Sequence, residues 1–168
     1  MWPPKKVSGV RVGTRKGFAR VSVIRILVVE DHKPFRQFVC AALSENSDWE
    51  VVGEASDGLE AVQKAQILQP DLIVLDIGLP LQDGFKVARQ VRRVCDTAKI
   101  LFLSQYSSND TVEEAFSLGA MGYVVKARAG RELIPAVEAV SVGRQFVTNG
   151  YPGYREINSR SRSSVSCG

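Results

Sequence analysis

Two periodicities alternate along residues 23–146 of the chain. Short runs of branched apolar residues, Ile24 to Val29, Asp71 to Leu75 and Lys99 to Ser104, read as strands buried on both faces. Trp49 to Ala55 makes a further strand, and Tyr123 to Lys126 a short fifth one. Each run is followed by a stretch with helical spacing. After the first strand, Pro34 suits the first turn of a helix whose apolar positions are Phe35, Phe38, Val39, Ala42 and Leu43. Asp57-Gly58 opens a second helix, which runs to about Leu68. Asp83-Gly84 opens a third, with Phe85, Val87, Ala88 and Val91 on its inner face. Asn109-Asp110 caps a fourth that ends at Gly119, and a last helix covers roughly Arg131 to Val142 with Pro135 an awkward early guest.

Strict alternation of strand and helix over about 120 residues predicts one α/β domain, a doubly wound parallel sheet with helices on both faces. The boundaries this implies are a basic disordered extension at 1–22, the folded domain at 23–146 and a disordered tail at 147–168, where Gly, Ser and Arg replace any apolar period.

Charge sharpens that division. The 168 residues carry a formal net charge of +4, yet residues 1–25 hold seven Lys or Arg and no acid, while residues 26–143 hold 11 basic and 17 acidic side chains. The folded core is therefore acidic, and the high pI comes from the ends. Nucleic acid is not an expected partner of this chain on that distribution. No apolar run approaches the roughly 20 residues of a membrane helix, so no membrane insertion is expected. Cys40, Cys95 and Cys167 have no metal-type spacing and read as free thiols of a cytoplasmic protein.

Candidate chemistry gathers at the carboxyl ends of the strands, where open α/β sheets hold their ligands. Those ends carry Glu30 and Asp31, then Asp76, then Ser104, then Lys126. Asp76 closes the most apolar strand and precedes the turn Ile77-Gly78-Leu79-Pro80. Three crowded acids repel one another, so a divalent metal binds, or Lys126 pairs with them, or one acid stays protonated. Hard oxygen ligands favour Mg²⁺, which leaves room for phosphate oxygens and water. A carboxylate in that setting can attack a phosphoryl group. His32 reads as an ordinary solvated residue, and Tyr123, by pattern alone, as half-buried strand filler.

These residues together identify a family. Val28-Val29-Glu30-Asp31, Leu75 to Pro80 with Asp83-Gly84, Leu103-Ser104 and Gly122 to Lys126 resemble the receiver domain of bacterial two-component response regulators, in the NarL/FixJ-like branch. The resemblance covers residues 23–146 and implies the flavodoxin-like strand order 2-1-3-4-5. It implies that Asp76 is the phosphoacceptor, receiving its phosphoryl group from a sensor histidine kinase or phosphotransfer protein. Mg²⁺ would be held by Glu30, Asp31, Asp76 and the backbone carbonyl of Ile77, with Asp31 direct and Glu30 through water. Ser104 and Lys126 would contact the phosphoryl group, and Tyr123 would turn inward on activation. The switched surface would be the face of the fourth helix, fifth strand and last helix, read by an effector protein or a second copy. Such a domain is a signalling module rather than a turnover enzyme.

Gly78 and Tyr106 stand where receivers tune loss of the phosphoryl group. Past residue 146 no helix-turn-helix pattern is visible, although this branch usually continues into one. Two other readings compete with the phosphorylated switch. One is a scaffold receiver that is never phosphorylated. The other is a Mg²⁺-dependent phosphohydrolase with Asp76 as nucleophile, which would want a second carboxylate where Gly78 sits. A nucleotide- or flavin-binding domain fits worse, because the first strand–helix junction lacks glycines and presents acids.

Overall fold

The computed structural model describes residues 22–149 and Tyr151. The elements follow in strict alternation: β1 (Ile24–Val29), α1 (Lys33–Ser44), β2 (Trp49–Ala55), α2 (Gly58–Leu68), β3 (Leu72–Asp76), α3 (Gly84–Val94), β4 (Lys99–Ser104), α4 (Asn109–Ser117), β5 (Gly122–Val125), α5 (Ala129–Ser141) and β6 (Phe146–Val147). One 3-10 turn, Lys126–Arg128, joins β5 to α5. All strand pairings are parallel, and the sheet order is β2-β1-β3-β4-β5-β6. The expected 2-1-3-4-5 order is present, extended by one short strand.

Every residue of β3 is buried, as expected of a central strand covered on both faces. Alternate strand residues feed two cores. Ile26, Val28, Leu72, Val74, Leu101, Leu103 and Val124 pack with residues of α1 and α5. Leu27, Val29, Ile73, Leu75, Ile100, Phe102 and Tyr123 pack with residues of α2, α3 and α4. The four inner-face residues expected of α3 are all buried. In α1 only Val39 and Leu43 are; Phe35 and Ala42 are half-buried and Phe38 turns out to solvent.

Element ends follow local chemistry. Asp57 and Asp83 cap α2 and α3 by accepting from Glu60 N and Lys86 N. The cap of α4 is Ser108, one residue earlier than expected, its hydroxyl accepting from Thr111 N at 3.4 Å. Pro135 lies inside α5 but faces solvent, where water can serve the Arg131 carbonyl that proline cannot bond. Cys40 and Cys95 are free thiols. Burial, reinforced by Glu54, pushes the Cys40 thiol up to about 11, and burial also raises Cys95.

The expected tail boundary requires correction. Val147 belongs to β6, and Val147, Thr148 and Tyr151 are all buried, so disorder from residue 147 onward does not hold for 147–149 or Tyr151. A two-residue strand has no readable period; the open edge of β5 supplies its hydrogen bonds and an apolar slot. The expectation for residues 1–21 and the tail from 152 on lies outside the described residues.

Candidate functional site: an acid cluster bridged by a lysine

Strand register sets the site's floor. Val29 of β1 is level with Leu75 of β3, so the next residue on each strand, Glu30 and Asp76, emerge side by side about 4.8 Å apart. Asp31 follows at the start of the loop to α1, and Lys126 follows β5 two strands away. A lysine side chain is long enough to cross that gap.

Lys126 Nζ lies 2.7 Å from Glu30 Oε2 and 2.9 Å from Asp76 Oδ2. It also sits 5.1 Å from the centroid of the Phe35 ring, a cation–π distance. Glu30 and Asp76 are almost wholly buried, whereas Asp31 is exposed. Each of the three acids offers one oxygen within 4.8 Å of the others'. The backbone completes the arrangement. His32 N donates to Glu30 Oε1 at 3.0 Å, and Gly78 N donates to Asp76 Oδ1 at 3.0 Å. Arg36 of α1 donates to the Glu30 carbonyl at 2.6 Å and pairs with Glu54 of β2 at 3.0 Å, so the acid-bearing loop is tied to the sheet.

Electrostatics follow from the burial. Burial raises the pKa of Glu30, and the neighbouring Asp76 charge adds to it against the pull of Lys126. Burial would lower the Lys126 ammonium, but its bonds to Glu30 and Asp76 outweigh that and hold it above its ordinary value. Pairing with Lys126, one of the three ways to relieve the acid cluster, is present.

A cavity of about 790 Å³ opens over this floor, lined by Asp31, His32, Phe35, Phe38, Gly78 and Tyr106 among others. Phe35 and Phe38 stack in a tilted pair with centroids 5.7 Å apart. Gly84 is needed beneath the floor: a Cβ there would overlap the Asp76 carbonyl oxygen. Leu81, in the loop after Asp76, is fully exposed with φ 69°, a left-handed conformation that costs a leucine energy.

The donor set fits a hard divalent cation. Three carboxylates face one ammonium, and Lys126 Nζ, shared with Asp76, holds Glu30 Oε2 at 2.7 Å. Three carboxylates with oxygens within 4.8 Å of one another offer the hard ligands that Mg²⁺ takes. Ile77 does not fit the expected ligand set. It is buried, and its carbonyl accepts from Gly84 N at 2.8 Å to start α3. Gly78, not Ile77, lines the cavity.

Ser104 and Tyr123 lie behind the floor rather than in it. Both are fully buried and neither lines the cavity. Ser104 Oγ accepts from Tyr106 N at 3.0 Å, and Tyr123 donates its hydroxyl to the Tyr106 carbonyl at 2.7 Å. Tyr123 is thus already inward, where pattern alone suggested half burial. Burial raises the pKa of its phenol. Sequence reasoning missed Arg36, whose helix position carries no chemical signature, and Phe35 and Phe38, whose spacing reads equally as core.

Comparison with known proteins agrees with this geometry. Residues 26–138 match the response regulator receiver domain. The chain is 34% identical over 84% of its length to the transcriptional regulatory protein LiaR of Bacillus subtilis (strain 168), and 40% identical over 73% to PdtaR of Mycobacterium tuberculosis. It spans 66% and 59% of those two relatives' lengths. The signal receiver domain of a NarL response regulator from Mycobacterium tuberculosis superposes with a TM-score of 0.67 at 35% identity, covering 72% of this chain and 98% of that one. No helix among the described residues is long and apolar enough to cross a membrane. Fold, site and matches converge: the chain belongs to the response regulator receiver domain family of two-component signalling.

Proposed function

We propose that this receiver accepts a phosphoryl group on Asp76 from the phosphohistidine of a sensor kinase or phosphotransfer protein, and that the modification switches its protein contacts. The observation that carries the reading is the Lys126 ammonium, 2.7 Å from Glu30 and 2.9 Å from Asp76, at the floor of an open cavity beside Asp31. One Asp76 oxygen attacks phosphorus while the P–N bond breaks, its electron pair returning to the imidazole. Gly78 N–H holds Oδ1 in place, and Lys126 offers its charge to the phosphoryl oxygens as Oδ2 loses its own. Asp31, Asp76 and Glu30 would hold Mg²⁺, which when bound would neutralise the same oxygens.

Phosphorylation adds about −1.5 to −2 charge and three acceptor oxygens. Ser104 is buried against Tyr106, so its hydroxyl reaches those oxygens through a shift of the β4–α4 loop. That shift, in which Tyr106 N–H stays on Ser104 and the Tyr123 hydroxyl stays on the Tyr106 carbonyl, is the physical origin of the switch. Control of transcription, named for LiaR and PdtaR, is the output this reading proposes, exerted through protein contacts of the acidic domain.

Intact-protein mass after incubation with acetyl phosphate and Mg²⁺ tests the reading, with Asp76→Asn in parallel. Wild type should gain one phosphoryl group, lost on omitting Mg²⁺ and in the variant. Equal gain in wild type and Asp76→Asn would move the acceptor elsewhere. No gain together with no binding of beryllofluoride–Mg²⁺ would favour the unphosphorylated scaffold.

A further inference from the structure

The segment after α5 occupies a built site. β6 pairs with β5 in parallel, Gly122 level with Phe146 and Tyr123 level with Val147. Phe146 N donates to the Met121 carbonyl at 3.0 Å, and Thr148 N to the Tyr123 carbonyl at 2.9 Å. Side chains alternate across the sheet: Val147 and Tyr151 enter the core that contains Tyr123, while Phe146 packs against the opposite core. At the end of this slot stands Glu132 of α5, a carboxylate only 4% exposed. The Thr148 hydroxyl donates to Glu132 Oε2, and Asn149 N donates to Oε1 at 3.1 Å. Arg128 approaches Oε1 at 3.5 Å. The buried glutamate is therefore satisfied largely by donors from the segment itself, and undocking the segment would strand it.

Hydrogen bonds lead from the same slot to Ser104, which lies behind the Asp76 floor. Ser104, at the carboxyl end of β4 beside β3, accepts from Tyr106 N; the Tyr106 carbonyl accepts from the Tyr123 hydroxyl; the Tyr123 carbonyl accepts from Thr148 N. Resting on the phosphoacceptor reading of Asp76, we infer that the β5–α5 edge is a docking site for residues 146–149 and Tyr151 of this same chain, and that its occupancy is coupled to the Asp76 site through Ser104, Tyr106 and Tyr123. When the Ser104 hydroxyl donates to a phosphoryl oxygen, its oxygen becomes a better acceptor for Tyr106 N–H, which steadies the Tyr106 carbonyl on Tyr123. Phosphorylation thus tightens docking and fixes the direction in which the chain leaves the domain. By linkage, docking strengthens binding at Asp76 by the same factor.

Hydrogen exchange of the full chain, with and without beryllofluoride and Mg²⁺ as the phosphoryl mimic, tests this. The expected result is exchange at the Thr148 and Asn149 amides slowed by about fivefold or more, the lower end of coupling between linked sites. Thr148→Val, which removes the hydroxyl bond to Glu132, should weaken beryllofluoride binding several-fold, and Thr148→Ser should restore it. Unchanged or faster exchange in a wild type that binds beryllofluoride overturns the inference and leaves the phosphoacceptor reading standing. So does a Thr148→Val variant whose 146–149 and Tyr151 amides exchange freely while its beryllofluoride affinity equals wild type. A wild type that binds no beryllofluoride overturns both.

Discussion

Two buried glutamates, one after β1 and one on α5, are treated in opposite ways. Glu30, after β1, faces two more carboxylates and shares one lysine with Asp76. Glu132, on α5, is bonded by the Thr148 hydroxyl and the Asn149 amide, with Arg128 nearby. Burial is nearly equal, 1% against 4%, so depth does not separate them. Charged neighbours do. A carboxylate bonded by a hydroxyl and an amide is a structural joint, whereas one crowded by two more carboxylates around a single lysine is poised for a cation from outside.

Breaking the Glu30 side at its lysine should have the largest effect. Lys126→Met removes the positive charge from the floor, and the rate of acetyl phosphate labelling, read by mass, should fall by about 100-fold. Labelling at the wild-type rate would remove Lys126 from the chemistry. On the other side, Glu132→Ala leaves the Thr148 hydroxyl and Asn149 amide without their acceptor. Urea unfolding should show a loss of about 2–3 kcal/mol, with labelling of Asp76 still measurable.

Glu30→Gln sharpens the contrast. Relief of repulsion against Asp76 offsets the lost ion pair, so stability should move by less than about 1 kcal/mol. Divalent-cation affinity, followed by calorimetry, should drop on the order of tenfold for a residue acting through water. If this variant unfolded as readily as Glu132→Ala, the distinction between joint and ligand site would collapse. The smallest change is a control belonging to neither glutamate. Leu81→Gly relaxes an exposed left-handed residue and should stabilise by up to about 1 kcal/mol, seen as a raised urea midpoint at unchanged slope; a lowered midpoint would mean that the Leu81 side chain packs in solution.

Most of the fold was legible because strand–helix alternation is a local signal. The apolar runs of β1, β3 and β4 and the inner face of α3 are written in consecutive residues, and the caps Asp57 and Asp83 announce their helices. The acid, hydroxyl and lysine residues could be listed for the same reason, since each closes a readable strand. Less visible were features set by neighbours distant in sequence. Phe38 has the spacing of a core residue but finds no partner layer, and Ile77 looks like a loop ligand until Gly84 takes its carbonyl.

β6 shows the limit best. Phe146-Val147-Thr148 carries too few residues for any period, and its order comes from the open β5 edge and from Glu132, fourteen residues upstream of Phe146. The sequence by itself determined the parallel sheet, its two cores and the acids at its carboxyl edge, because periodicity and strand ends are properties of short segments. Only the tertiary structure decided that Lys126 bridges Glu30 and Asp76, that Ser104 and Tyr123 sit behind the floor, and that the chain after α5 docks on β5. Those are matters of strand register and side-chain reach across the sheet, which no local pattern encodes.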